Sequence, residues 1–322
     1  MKIWLGLGIL CLGLSLNSFA EGDGGSSASS VPTLTPAPEF NKDFQKLDQI
    51  LGNKAYDETY TLTDPALRAS DGSLSRYSVK SALTYSGPGI NNLSGAVIPS
   101  TDGVLRNNNV KASGNVYANY RQDSTTTLSF GSGVTFNDPF TGTNQSDIAS
   151  NPFVQWNKAY RWKGLEFITS PEILASTDPT YTNVGEVGGL NWYNSGVYNF
   201  DKTNWKISLS TSMYYWAFGR GYLASDNKAG SIVQQYSFSW TPGAKYKFND
   251  RWVAYSNLGF QVYNPRNTPN ASILWNAQTT WQTGFGWAYD RDIYVSPYVQ
   301  AFPSNLIQDN VTANLSLTFS LL

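Results

Sequence analysis

The sequence predicts an all-β protein: a transmembrane antiparallel up-and-down β-barrel of about twelve strands behind a short N-terminal segment. Three observations predict it. In the last stretch, Val311, Ala313, Leu315, Leu317, Phe319 and Leu321 alternate with small polar residues, which gives one oily and one wet strand face. The same alternation recurs back through the chain in segments long enough for a tilted strand to cross a bilayer, roughly 9–11 residues. Tight and long connections take turns between those segments, as up-and-down barrels require and β-sandwiches do not.

Taken in order, Met1 to Ala20 reads as a signal peptide, with Lys2 at its start, a short apolar core and the small-x-small site Ser18-Phe19-Ala20. Residues 21–72 form an N-terminal segment. It opens on a linker rich in Gly, Ser, Thr and Pro, and residues 41–51 carry one amphipathic helix with Phe44, Leu47, Ile50 and Leu51 on one face. Residues 56–72 have no clear period. The barrel then occupies 73–322. Its strands are predicted at 73–86, 110–121, 124–136, 152–162, 164–175, 184–199, 204–217, 232–247, 251–263, 272–288, 292–302 and 311–322. Five connections are tight: Gln122-Asp123, Lys163-Gly164, Asp201-Lys202-Thr203, Asn249-Asp250 and Asp290-Arg291. The even count brings both ends to the tight-turn side.

Alternation assigns faces. Tyr236, Phe238, Trp240, Pro242, Ala244 and Tyr246 point out, and Ser237, Ser239, Thr241, Gly243, Lys245 and Lys247 point in. Trp205, Ile207, Leu209, Met213 and Tyr215 point out, opposite Lys206, Ser208, Ser210 and Ser212. Ile273, Trp275, Trp281, Phe285 and Trp287 are assigned to lipid, and Asn276, Gln278, Thr280 and Gln282 to the lumen. Two places resist. Lys158 falls on an outward face, which a bulge or a snorkelling side chain would reconcile. The glycine-rich span 184–199 alternates poorly and suggests a bend of the wall.

Composition narrows the function. The chain has 322 residues, 14% charged and 15% aromatic, with net charge −1 and no long apolar run after its start. That argues against a helical membrane protein and against a nucleic-acid binder. There is no histidine, and the single cysteine, Cys11, lies in the leader. Ser–His or Cys–His catalysis and His- or thiolate-ligated metals are therefore not expected. Glu166 and Glu172 are too far apart on one strand, about 20 Å, to act as a glycosidase pair. No enzymatic activity and no cofactor are predicted.

With this alternation and the run Leu315, Leu317, Phe319, Leu321 at its end, the chain resembles Gram-negative outer-membrane β-barrel proteins of the porin or channel kind. The resemblance covers the leader and residues 73–322. It implies export to the bacterial outer membrane, a bilayer partner and handling by the outer-membrane assembly machinery. The C-terminal signal of this class usually ends in an aromatic residue, whereas this chain ends in Leu322. Twelve-stranded phospholipases of the class need a His beside their Ser, which this chain lacks.

Within the barrel, Arg76, Lys80, Lys111, Arg121, Arg161, Lys206, Lys245 and Lys247 are assigned to the lumen or its rim, with Glu166 and Glu172 as lumen acids. Rings of Lys and Arg favour anions. Equally, such charges solvate a rim or pair internally, as Arg161 with Glu166 or Glu172 would. Tyr294 and Tyr298 form an inward aromatic row, a stacking slide for rings or a filler of a narrow barrel. Asp43, Asp48, Asp57, Glu58 and Asp64 offer an acidic segment able to plug a basic mouth. The sequence reading is a passive diffusion channel for small hydrophilic solutes with an anion preference. Its alternative is a closed structural or surface-interaction barrel whose external loops bind a partner.

Overall fold

A computed structural model of the chain describes residues 62–94, 110–137, 139, 146–221, 223, 234–266, 274–306 and 310–321. The expected leader, linker and helix at 41–51, with Asp43, Asp48, Asp57 and Glu58, lie outside the described residues.

The wall is built from β1 (Tyr77–Gly89), β2 (Lys111–Asp123), β3 (Thr126–Asn137), β4 (Ser146–Trp162), β5 (Leu165–Ala175), β6 (Glu186–Asn199), β7 (Trp205–Phe218), β8 (Gln234–Lys247), β9 (Trp252–Pro265), β10 (Trp275–Asn276), β11 (Thr280–Ala288), β12 (Ile293–Ala301) and β13 (Thr312–Leu321). Each strand pairs antiparallel with its neighbours, β10 and β11 both lie against β9, and β1 closes on β13 through the run Val79↔Leu321 to Ser86↔Asn314. Closure removes the free edge, so every strand but the two-residue β10, which pairs with β9 alone, finds backbone partners on both sides.

β10 and β11 are two pieces of one stave, which makes twelve. Trp275 pairs with Tyr263 and Trp281 with Leu258, so the register slips by one residue between them. The slip exchanges the faces. Tyr263 shares the inward side with Ser237, its partner on β8, and Trp275 lies against it with ring centroids 6.2 Å apart. Trp275 is therefore not on the lipid face where plain alternation places it, and Asn276, opposite Val262, is not on the lumen face. Trp281 does face out.

The tight turns fall where expected, with one displacement. The β2–β3 turn is made by Ser124 and Thr125, because Asp123 stays in the strand and its carboxylate accepts from the Thr125 amide at 2.8 Å. At Lys163-Gly164 both residues take positive φ, 45° and 82°, the twist-matched geometry of a two-residue hairpin. Aromatic pairs gather at this turn end on the outer surface, Trp205 with Tyr246 and Trp252 with Trp287. Lys158 also resolves here. Its ammonium turns to the β2–β3 turn and donates to the hydroxyls of Thr125 and Thr126 at 2.8 and 2.6 Å, so it snorkels to the rim.

The described chain before β1 is not strand from Ser73, as alternation suggested. It forms helix α1 (Pro65–Asp71) inside the turn end of the barrel, and β1 begins only at Tyr77. Asp64 caps the helix by accepting from the Leu67 amide, Pro65 opens it, and Gly72 ends it at φ 83°. Seven residues are too few to hold a helix alone. The wall holds it. Leu62 and Leu67 pack with Ala159, Ile168 and Val197, and Ala69 packs with Ala288 and Tyr294.

Candidate functional site: the occupied turn-end mouth

α1 lies across the mouth as a bar fixed at both ends. At its first end, the Asp64 carboxylate meets Lys245 of β8 at 3.0 Å and Lys206 of β7 at 3.5 Å. Glu166 of β5 faces the same end with the opposite sign. It accepts from the backbone amides of Thr63 and Asp64, each at 2.8 Å, from the Thr63 hydroxyl, and from the Asn199 amide at 3.1 Å. One carboxylate of the wall accepts from the backbone amides of the cap and one carboxylate of the cap lies between two wall ammoniums, so this end is charge-complementary throughout.

At its second end, the Asp71 carboxylate meets Arg121 of β2 at 3.0 Å and Arg291 of the β11–β12 turn at 2.9 Å. Arg121 also donates to the carbonyls of Asp71, Ser73 and Ser124. Lys80 of β1 donates to the Ser70 carbonyl at 2.8 Å, with its ammonium 4.5 Å from the centre of the Tyr117 ring. Lysines and arginines are rarely buried, yet Arg121 is 1% and Lys80 5% exposed. The helix carboxylates and last carbonyls are what make that burial tolerable.

Burial by itself would raise the Asp64 carboxyl. Lys245 and Lys206 outweigh it and hold the group below the usual carboxylate range, so Asp64 is an anion at neutral pH.

Above α1 lies a cavity of about 310 Å³, floored by Ala66, Leu67 and Ser70 and walled by serines, threonines, Asn257 and Gln282 together with Lys245 and the rings of Tyr193, Tyr255, Tyr294 and Tyr298. Hydroxyls bridge neighbouring staves, as between Ser195 and Ser210 at 2.9 Å and Ser212 and Ser239 at 2.7 Å. These short side chains leave room in the bore, with α1 lying beneath it.

Of the residues singled out from sequence, Lys80, Arg121, Lys206, Lys245 and Glu166 converge on α1. Glu172 lies on the inward face farther from the turns, where its carboxylate accepts from Gln155 at 3.1 Å and Asn191 at 3.4 Å. Glu166 and Glu172 thus answer to different partners, and Glu166 serves the helix rather than only the wall. Lys247 pairs with Asp250 at the rim, and Arg161 is exposed beside the β4–β5 turn. Lys111 is exposed at the other end of the barrel, where β2 starts. Arg76 does not line the lumen. It precedes β1 and lies over the outward Tyr77 and Tyr120 rings, donating to the Tyr120 hydroxyl at 3.3 Å. The inward tyrosines, Tyr294 and Tyr298, both border the cavity, and Tyr294 also packs against Ala69 of α1, with Gly286 leaving space for its phenol.

Sequence reasoning missed Asp71, Arg291 and the helix itself. The run Asp64-Pro65 with Gly72 seven residues on is a cap, a first-turn proline and a stop, which together mark a one-to-two-turn helix. Its brevity hid it from any periodicity test.

The fold is shared with known outer-membrane channels. An outer membrane channel from Pseudomonas putida F1 superposes with a TM-score of 0.50 at 9% identity, covering 76% of this chain and 95% of that one. The NanC porin gives 0.42 at 10% identity over 76% and 100% of the two chains, and the KdgM porin 0.39 at 10% over 76% and 99%. No protein-family model and no curated sequence matches the chain. At such identity the likeness speaks for the barrel alone.

Proposed function

We propose that this outer-membrane-type barrel is a passive diffusion channel for small hydrophilic solutes, selective for anions and held shut at its turn end by α1. The observation that carries the reading is the contrast within one bore: a polar-lined cavity above, a bar fixed by ion pairs below. A barrel built only as a structural post gains nothing from a wet interior lined by serines. Passage needs no chemistry, since a watery path with polar walls lowers the barrier for a hydrophilic solute. Selectivity follows from the wall cations that α1 covers. By the usual orientation of such barrels, the turn end is periplasmic, which puts the gate on the inner side. The outer membrane is the location this fold suits.

The second reading, a permanently closed barrel with binding loops, draws support from the number of contacts α1 makes. Planar-bilayer recordings under a salt gradient separate the two. The refolded chain lacking residues 1–20 should show low conductance with brief openings, and Asp64→Asn/Asp71→Asn should conduct steadily with an anion-selective reversal potential. Silence from both, and from a chain that also lacks residues 62–72, would remove the channel.

A further inference from the structure

We infer that the residues gripping α1 form a masked binding site for solutes carrying two or more carboxylates, with Asp64 and Asp71 standing in for the solute's own acid groups. The inference rests on the channel reading and names its solute class.

The wall residues that hold the helix are five cations, Lys80, Arg121, Lys206, Lys245 and Arg291, and one carboxylate, Glu166. α1 and its cap bring Asp64, Asp71 and Arg68 to them. When the helix leaves, two carboxylates depart and the wall keeps its cations. With α1 docked, the Arg121 guanidinium is held by the Asp71 carboxylate, and in the emptied mouth the same donors face the bore, where a solute carboxylate can take the place of Asp71.

The spacing of the cations gives the class. Lys206 and Lys245 make one pocket for a carboxylate on β7 and β8, and Arg121 with Arg291 makes another at β2 and the β11–β12 turn. The helical rise places the two acids they hold about 10 Å apart along the axis. A monoanion fills one pocket only. A dicarboxylate of similar span fills both at once, which raises its effective affinity through the second site. The same ligand competes with α1, so its arrival favours the open barrel without any further regulator.

A probe on the helix reads this directly. The chain without its leader has no cysteine, so Ala66→Cys is a single thiol at the floor of the cavity. Its labelling rate by a membrane-impermeant maleimide is measured in the refolded barrel at fixed ionic strength with azelate, with hexanoate and with chloride. Azelate should raise the rate several-fold, and hexanoate and chloride should not. In Asp64→Asn/Asp71→Asn barrels, azelate should in turn block chloride current. Equal rates in all three salts would overturn the site, as would a conducting double variant that azelate leaves unblocked. The labelling needs no current. A barrel that never conducts would end the channel reading, and azelate-dependent labelling would still decide the site.

Discussion

The Arg121 guanidinium meets the Asp71 carboxylate at 3.0 Å across fifty positions of sequence, with both side chains almost wholly out of solvent. One belongs to the wall and the other to the helix inside it, so the strength of this pair sets how firmly α1 is docked. Removing one partner of a buried pair costs about 3–5 kcal/mol. Arg121→Met should therefore loosen α1 before it loosens the wall. Limited trypsin digestion checks it: the Arg68–Ala69 bond should resist cutting in the parent barrel and be cut in Arg121→Met while the heat-modifiable gel shift of the folded barrel persists. Equal protection in both would show that Asp71 needs only Arg291.

Acid should open the mouth, and the sign follows from Asp64. Its folded value is lowered, so its pairing stabilises the docked helix fully above the ordinary carboxylate value of about 3.9 and is lost as pH falls through the lower folded value. Lys206 and Lys245 face it, with Glu166 beside them on the Thr63 and Asp64 amides. Conductance recorded from pH 7 downwards should stay low to about pH 4 and rise below it. Asp64→Asn should already be raised at pH 7 and change less with acid. A rise in the parent between pH 5 and 7 would contradict this origin.

Lys158 tests where the rim lies. A lysine at the bilayer midplane costs roughly 2–4 kcal/mol. A partly buried one that reaches Thr125 and Thr126 at the rim contributes about 1 kcal/mol. Lys158→Met should then change unfolding in urea, measured in lipid vesicles, by no more than about 1 kcal/mol. A clear gain in stability would place the residue deeper in the membrane.

Glu172 is an inward acid that α1 does not use. In the Asp64→Asn/Asp71→Asn background, Glu172→Gln removes a negative charge from the conducting path and should move the reversal potential further towards anion selectivity. An unchanged potential would mean that ions pass too far from β5 to feel it.

The wall was legible because each stave repeats one instruction, apolar out and small polar in, and a period of two survives errors of a few residues at either end. Lys206, Lys245 and Glu166 were legible as inward charges for the same reason. What they hold was not. Arg121 looks like a rim cation until Asp71, fifty residues earlier, is placed against it, and nothing local to either residue announces the other. Trp275 shows a different limit. A one-residue slip opposite β9 reverses its face, and a slip has no marker in the alternation itself. Arg76 was misplaced because parity was extended past the true start of β1.

Only five residues, Gly72 to Arg76, separate the end of α1 from the first residue of β1. At about 3.3–3.6 Å per residue this tether reaches no further than about 20 Å. α1 therefore cannot float away when its ion pairs fail. In the proposed channel it swings as a door hung on the first stave, about a Gly72 already at positive φ, with Asp64 as the latch at the far edge. A hung door recloses at a rate that does not depend on protein concentration. Its closings should appear in single-channel records as brief, recurrent interruptions rather than as a slow, permanent loss of current.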